Sequence, residues 1–512
     1  GLPRQCAHWL AMTGSFLKAV TDEGPPNFKE DFMLFSSYSF LFFFPLVLIL
    51  VGVLPVKWRN PLLLLVSYFF YSCWSRRYCL LLLGCTAVAY VAGRLLEKRK
   101  WTFWAGLVTV LGILAVFKYT DFLLYNLETL VSRPLPRLSW VLPVGISFFT
   151  FQAAGYLIDV YQGKYKAETN FVNFALFVSF FPQLLSGPIG RGGELLPQYR
   201  EPKTPGFQDL RNGLCTMTWG YFLKLVIADR AAMLVDSVYG AYASLPGICL
   251  VFATVVYALQ IYCDFAGYSA MAIGAGQMLG IRLPVNFRTP YFAQSVQEFW
   301  RRWHISLSTW FRDYVYFPLG GSRCPRWKTY RNILIVFLLS GLWHGASWSF
   351  ALWGLLHGAY QIFGKQTKGL REAAVRGLGI RTEAGSWKVL RMAVTFLLVD
   401  FAWLFFRADG LGTALDMLRH IGTDLRPLEL LDALRQGTMG LDVPDLWVLL
   451  LSTALLTGAD IARYRGADLR GWFAEQNFLL RELLLSGFML LIIILGIWGN
   501  GFHASSFIYF QF

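Results

Sequence analysis

NILIVFLLSGLWHGASWSFALWGLLHGAYQIF, residues 332–363, carries no Asp, Glu, Lys or Arg, and its only titratable groups of the metal-ligating or proton-transferring kind are His344 and His357. A helix needs about 20 mostly apolar residues to cross the roughly 30 Å hydrocarbon core of a bilayer, so this run belongs inside a membrane. It is long for a single crossing, and Gly341 and Gly345 flank the His344 turn. A broken or re-entrant passage, or two short spans, fits it. Twelve residues of helix rise about 18 Å, which sets His344 near the bilayer centre. Basic side chains bracket the run: Arg323, Arg326, Lys328 and Arg331 before it, and a cluster at 364–391 after it.

Outward from that segment the chain keeps the same character. Its 512 residues are 56% hydrophobic, 17% aromatic and 15% charged, against about 25% charged in a soluble protein. Apolar runs recur at roughly 38–56, 61–75, 78–96, 101–120, 139–160, 171–188, 213–235, 246–263, 265–281, 332–363, 390–407, 443–462 and 480–499. Some are short or polar, so about 11 spans and re-entrant segments are expected, non-helical backbone being tolerated only where protein covers it. The fold class is all-α, a polytopic integral membrane protein.

The net charge of +15 is gathered in short clusters between apolar runs. In a soluble chain such a balance suggests nucleic acid; here it marks cytoplasmic loops, with anionic lipid headgroups or an anionic coenzyme as partners. Lys57, Arg59 and the Glu97–Lys100 cluster fall on one side if the first helix starts outside, as does 364–391, whereas Arg76 and Arg77 fall on the other. Residues 1–32, with Gly24-Pro25-Pro26 and mixed charge, differ from the rest; the natural start is expected at Met33. Residues 33–512 form the membrane domain, and 408–440 reads as a more polar interfacial or extramembrane loop.

Chemistry concentrates at 284–358, which holds His304, His344 and His357 with dense Arg, Trp and Asp. Drawn as one helix, Trp300–Val315 puts Trp300, Trp303, Leu307, Trp310, Phe311 and Tyr314 on one face. Arg301, Ser308 and Arg312 form a second strip with His304 at the border, and Arg302, Thr309 and Asp313 a third. Such a helix lies in the membrane interface, and His304 is then either filler or a site residue. An ionisable group at His344's depth is a functional candidate by default, the alternative being a neutral imidazole bonded to a neighbouring helix. His357 reads as structural; His8, His420 and His503 have no supporting context. Asp264 is a second costly membrane group, expected to pair with an arginine or serve the site.

Metal ligation is disfavoured: no HxxxH or HExxH spacing exists and no carboxylate lies near His344. The eight cysteines form no CxxC and read as small buried residues. Ser340 or Ser347 could form a Ser–His pair, but no orienting acid follows. General-base activation of an incoming hydroxyl by a neutral imidazole is simpler, with Trp or Arg side chains steadying the oxyanion. The glycines of GAGQMLG, 274–280, lack the dinucleotide-binding spacing and are expected to pack helices closely.

The motifs SFFPQLLSGPIGR (179–191), QIYCDFAGYSAMAIG (260–274), NFRTPYFAQSVQEFWRRWHISLSTWFRDYVYFPLGG (286–321) and LSGLWHGASWSFALWGLLHG (339–358) resemble the membrane-bound O-acyltransferase (MBOAT) family, in its alginate-acetylating branch. The likeness runs from Met33 to the last residues. It implies a ring of helices around a thin, tunnel-pierced centre in a bacterial inner or plasma membrane. It implies transfer of an acetyl group from a cytoplasmic thioester, acetyl-CoA, toward an extracytoplasmic polysaccharide through a partner acetyltransferase protein, with no bound cofactor, no metal and no nucleic acid. It also implies a catalytic role for His344 and a catalytic or site-organising one for His304. Asp264, Tyr268, Asn286, Arg302, Trp303, Arg312, Asp313 and Trp343, standing in the same motifs, become substrate-binding or site-organising. The chain departs from the family's DFSGYSDMAIG at Ala266 and Ala270. A D-alanyl transferase for teichoic acid shares the architecture and both histidines. A transporter is the reading from another class, since broken helices also mark transporters, although no internal repeat is present; a scaffold for polysaccharide export is a third.

Overall fold

The computed structural model describes residues 33–138 and 140–498. The expected start at Met33, which concerns residues 1–32, and the readings of His8 and His503 lie outside the described residues. Within them every regular element is helical and no strand occurs. The longer helices are α1 Tyr38–Val53, α2 Val56–Ser72, α3 Arg76–Leu96, α4 Trp101–Val131, α5 Ile146–Tyr161, α6 Phe171–Ser179, α7 Gly192–Arg200 and α8 Phe207–Tyr221. They continue with α9 Asp229–Gly240, α10 Gly247–Met278, α11 Val296–Arg302, α12 Ile305–Phe311, α13 Arg326–His344 and α14 Trp348–Gln366. The last are α15 Lys368–Gly377, α16 Gly385–Arg407, α17 Leu411–Thr423, α18 Val443–Tyr464 and α19 Phe478–Leu495.

Six of these (α3, α4, α10, α16, α18 and α19) are long and apolar enough to cross a membrane unaided. The remaining apolar runs are shorter, broken or bent, and complete the polytopic all-α body. The two runs read at 246–263 and 265–281 are one helix, the 32-residue α10. Conversely, 332–363 is two helices, α13 and α14, folded into a hairpin at Gly345–Ser347. Ser347 caps α14 by accepting from the Phe350 amide.

Glycines set the closest approaches, as van der Waals packing inside a bilayer favours. A Cβ on Gly341 would stand 2.2 Å from the Phe350 carbonyl oxygen, and one on Gly354 2.2 Å from that of Phe337; only hydrogen fits where α13 meets α14. Helices α8 and α10 cross in the same way. Gly213 faces Gly274 and Gly220 faces Gly267, each with its partner's carbonyl 2.5–2.9 Å from the would-be Cβ. Gly274 of the GAGQMLG segment therefore packs helices, as its sequence suggests. One turn further on, α8 passes into a π-helical segment, Phe222–Ala228, that runs on into α9. There Lys224 bridges Asp264 of α10 (2.7 Å) and Asp229 (2.8 Å), all three buried. The pairing partner of Asp264 is thus a lysine, not the expected arginine.

Several of the basic segments meet on one face. Phe103 at the start of α4 stacks on Tyr161 at the end of α5 (4.1 Å between centroids). Arg59 donates to Thr204 (2.9 Å) and Arg200 pairs with Glu168 (2.7 Å). The segments carrying Lys57, Lys98–Lys100, Lys164 and Lys203 are thereby drawn together. Arg76 and Arg77 stand at the opposite end of α3, where Tyr78 donates to the Val141 carbonyl. The 408–440 stretch is not simply a loop. It forms α17 and two short turns, tied to the start of α10 by Gly247 and Ile248 amides on the Asp424 and Leu425 carbonyls.

Candidate active site

Two apolar cores make up the interior. One is built on α1–α6 with Leu307, Trp310 and Trp343; the other on α9, α10 and α16 with Trp300, Trp303 and Trp353. The histidines lie on the seam between them. His304 is 0% exposed and His344 4%. Trp343 touches both rings, its centroid 6.0 Å from that of His304 and 4.9 Å from that of His344. Phe265 packs edge-on to His304, and Trp353 and Phe406 edge-on to His344. His304, His357 and Lys118 all lie within electrostatic reach of His344.

The segment around His304 is not the continuous helix that its periodicity predicts. It breaks at His304, which adopts a left-handed backbone (φ 43°, ψ 55°) between α11 and α12, and ends in a π-turn, Arg312–Tyr316. The aromatic strip does not face lipid either: Trp300, Trp303, Leu307, Trp310, Phe311 and Tyr314 are all buried in protein. A left-handed backbone at a non-glycine residue costs of order 1–3 kcal/mol and persists only where the surroundings over-determine it. Here they do. The Arg288 amide donates to the Arg302 carbonyl and the Ile305 amide to the Asn286 carbonyl, each at 2.9 Å, strapping both sides of the break to residues 286–288.

Asn286 then orients the imidazole. Its Oδ1 receives the Ser306 amide (3.2 Å), the Ser306 hydroxyl (2.9 Å) and His304 Nδ1 (3.2 Å), while Nδ2 donates to Ser269 (3.2 Å). A backbone amide can only donate, so the shared atom is the oxygen, and a neutral His304 carries its proton on Nδ1 with its lone pair on Nε2. The Ser306 hydroxyl also accepts from the Ile189 amide (3.0 Å), which anchors the SGPIGR loop to the site.

The other sequence candidates divide. Trp343, Asn286 and His304 converge with His344. Trp303 is 1% exposed and packs on Phe287, Phe299 and Trp403, a structural wall. Asp264 belongs to the Lys224 bridge, and Tyr268 packs on Phe35. Arg302 turns the other way, onto Glu298 (2.8 Å), Thr289 (3.0 Å) and the face of Tyr464. Asp313 sits at the rim, bound by Arg312 (2.7 Å) and Arg191 (3.1 Å), and lines a cleft with Gln162, Lys164, Phe317 and Pro318. His357 accepts from Trp300 Nε1 (3.2 Å) and packs on Trp353. His420 bonds the Leu245 carbonyl.

Sequence reasoning missed Lys118, Tyr119, Lys224 and Ser306. The two lysines carried a usable signal, a cation within an apolar run. Among the described residues no group of three or more His, Cys, Asp and Glu is disposed to hold a metal.

His344 on the α13–α14 hairpin and His304 at the α11–α12 break are thus buried together beside Trp343 in a polytopic helical body, and the class of this body follows from the sequence comparisons. The MBOAT, membrane-bound O-acyltransferase family, profile matches residues 166–397; the chain belongs to this family and is an acyltransferase. It is 39% identical over 395 residues to the probable alginate O-acetylase AlgI of Pseudomonas aeruginosa, covering 75% of this chain and 73% of that one. It is 36% identical over 430 residues to the peptidoglycan O-acetyltransferase of Helicobacter pylori (76% and 79% covered). The teichoic acid D-alanyltransferase of Streptococcus thermophilus is 30% identical over 287 residues, 51% of this chain and 68% of that one. Family membership sets the transporter and scaffold readings aside.

Proposed function

We propose that this protein moves an acetyl group from acetyl-CoA on the cytoplasmic face to a polysaccharide hydroxyl on the other face, by way of an extracytoplasmic partner protein, in a bacterial cell membrane. The observation that carries the reading is the placement of His304 and His344 on either flank of Trp343, both buried on the seam between the two cores. The gathering of basic clusters on one face supports a cytoplasmic assignment for that face. Relatives named for alginate and peptidoglycan O-acetylation cover three quarters of the chain, against half for the D-alanyl transferase, which favours acetyl over D-alanyl and a sugar hydroxyl as the final acceptor.

In this mechanism His344 is the general base. Its imidazole takes the proton of the acceptor hydroxyl as that oxygen attacks the thioester carbonyl. The C–O bond forms, the C–S bond breaks, and the departing thiolate takes the proton back from the imidazolium, releasing the free thiol. His304, its Nδ1 held by Asn286 and its ring against Trp343, positions the reacting groups. The aromatic walls exclude the water that would otherwise hydrolyse the thioester.

The test uses membranes carrying wild type or His344→Ala at equal protein level, with labelled acetyl-CoA, following label into partner protein and glycan. Loss of a general base removes about 10²–10⁴-fold. Equal labelling in the two would eliminate His344 from the chemistry. No labelling in either, with the partner present, would refute acetyl-CoA as donor.

A further inference from the structure

We infer that one face of α4 is a clamp on the His344 tip, and that Lys118 is the positioning residue at its centre. Helix α13 ends at His344 without the left-handed glycine that commonly closes a helix: Gly345 is extended (φ −159°). The last turn of any helix leaves carbonyls without intrahelical partners, and in a membrane interior water is not there to take them. Residues 225 positions away in sequence supply the partners. Lys118 Nζ donates to the Trp343 carbonyl (2.5 Å) and the His344 carbonyl (2.9 Å), and Tyr119 Oη to the Leu342 carbonyl (2.8 Å). All three terminal carbonyls of the helix that carries His344 are thereby engaged.

The same face holds the far side of the turn. Asn126 Oδ1 accepts from Trp348 Nε1 (2.8 Å) and Phe122 packs on the Trp348 ring (5.7 Å). Positions 118, 119, 122 and 126 follow helical spacing along one side of α4, so a single rigid helix grips the hairpin both before and after its bend. The cation is also matched to its place, since a positive group at a helix C-terminus is favoured by the helix dipole. Lys118 further lies 5.9 Å from the centroid of Trp343, the ring shared by both histidines. A tip held this way keeps the His344 imidazole on the seam while an acyl chain and an acceptor pass it. Without the clamp the last turn frays, and the imidazole loses its position rather than its chemistry.

The role in transfer rests on the acetyltransferase reading; the clamp itself does not. The test therefore pairs turnover with hydrogen exchange on the full chain in lipid nanodiscs, for wild type, Lys118→Met, Lys118→Arg and Tyr119→Phe. Groups that orient the ligands of a metal site are typically worth about 10–100-fold, and Lys118 stands in the same relation to His344. Lys118→Met is expected to lower kcat by that amount, leave KM for acetyl-CoA within about twofold, and speed amide exchange in the peptide covering 340–348 alone. Lys118→Arg, which keeps a cationic donor, restores both, and Tyr119→Phe gives a smaller loss of the same kind. Wild-type kcat and wild-type exchange in Lys118→Met would overturn the inference. So would a loss confined to KM, or faster exchange throughout the chain with Tyr119→Phe unchanged, which assigns Lys118 to folding alone. A wild type that transfers nothing from acetyl-CoA would refute the donor, while local exchange would still decide the clamp.

Discussion

Replacing Asn286 by alanine removes one oxygen that three donors share. Two of them cannot find another partner without moving: the Ser306 amide and His304 Nδ1, both in a pocket where Asn286 is 1% exposed. The Ser306 hydroxyl still accepts from the Ile189 amide, and its own proton, on an O–H that can rotate, is left out of the count. A buried donor left unsatisfied costs about 1–3 kcal/mol, so the two together set a stability loss of about 2–6 kcal/mol. That loss falls on the segment that holds His304 in its left-handed backbone. The imidazole is then free to move its proton to Nε2, which exchanges the donor and acceptor ends of the ring. Turnover should fall by about 10–100-fold, which is about 1.4–2.7 kcal/mol of barrier. Asn286→Asp keeps an acceptor oxygen in place and should lose less than Asn286→Ala. The assay is label transfer from acetyl-CoA at matched protein level, with thermal unfolding in nanodiscs on the same preparations. Asn286→Ala with wild-type unfolding and transfer within about threefold of wild type would refute the orienting role, and with it the assignment of the His304 tautomer.

Two other substitutions separate the site from its frame. Lys224→Met leaves Asp229 and Asp264 buried without their cation, and breaking a buried pair from one side costs about 3–5 kcal/mol; a large drop in unfolding temperature is expected, and an unchanged one would show that water already reaches the bridge. Arg302→Gln, although it lies two residues from His304, breaks a half-exposed pair with Glu298 worth about 0–1 kcal/mol, so transfer should stay within about fivefold; a loss as deep as that of Asn286→Ala would return Arg302 to the site.

Much of this was legible one segment at a time. The apolar runs declare a polytopic membrane protein because spanning length and hydropathy are local properties. His344 stands out in 332–363 because a titratable group in such a run demands an explanation on its own. Asp264 announced a buried partner for the same reason, and the motif likeness carried the family. The break at His304 was not legible. The spacing of Trp300, Trp303, Leu307, Trp310 and Tyr314 fits an unbroken helix, and the bonds that pull the chain into a left-handed turn come from residues 286–288. Arg302 and Arg312 drew attention by standing in the same motif as His304, yet a turn sends one to Glu298 and the other to the rim.

What the sequence alone determined is the class of environment each residue must occupy: which runs lie in lipid, which glycines admit a neighbouring backbone, which polar groups cannot be left unpaired there. What the tertiary structure decided is the identity of the partners. Lys224 for Asp264, Asn286 for His304, and Lys118 for the carbonyls behind His344 are 40, 18 and 226 positions away. In a medium without water every such group must be satisfied by protein, but which protein group does so depends on where the helices cross. That is set by the packing of whole helices, Gly213 on Gly274 and Gly341 on the backbone of Phe350, and no single stretch of sequence contains it.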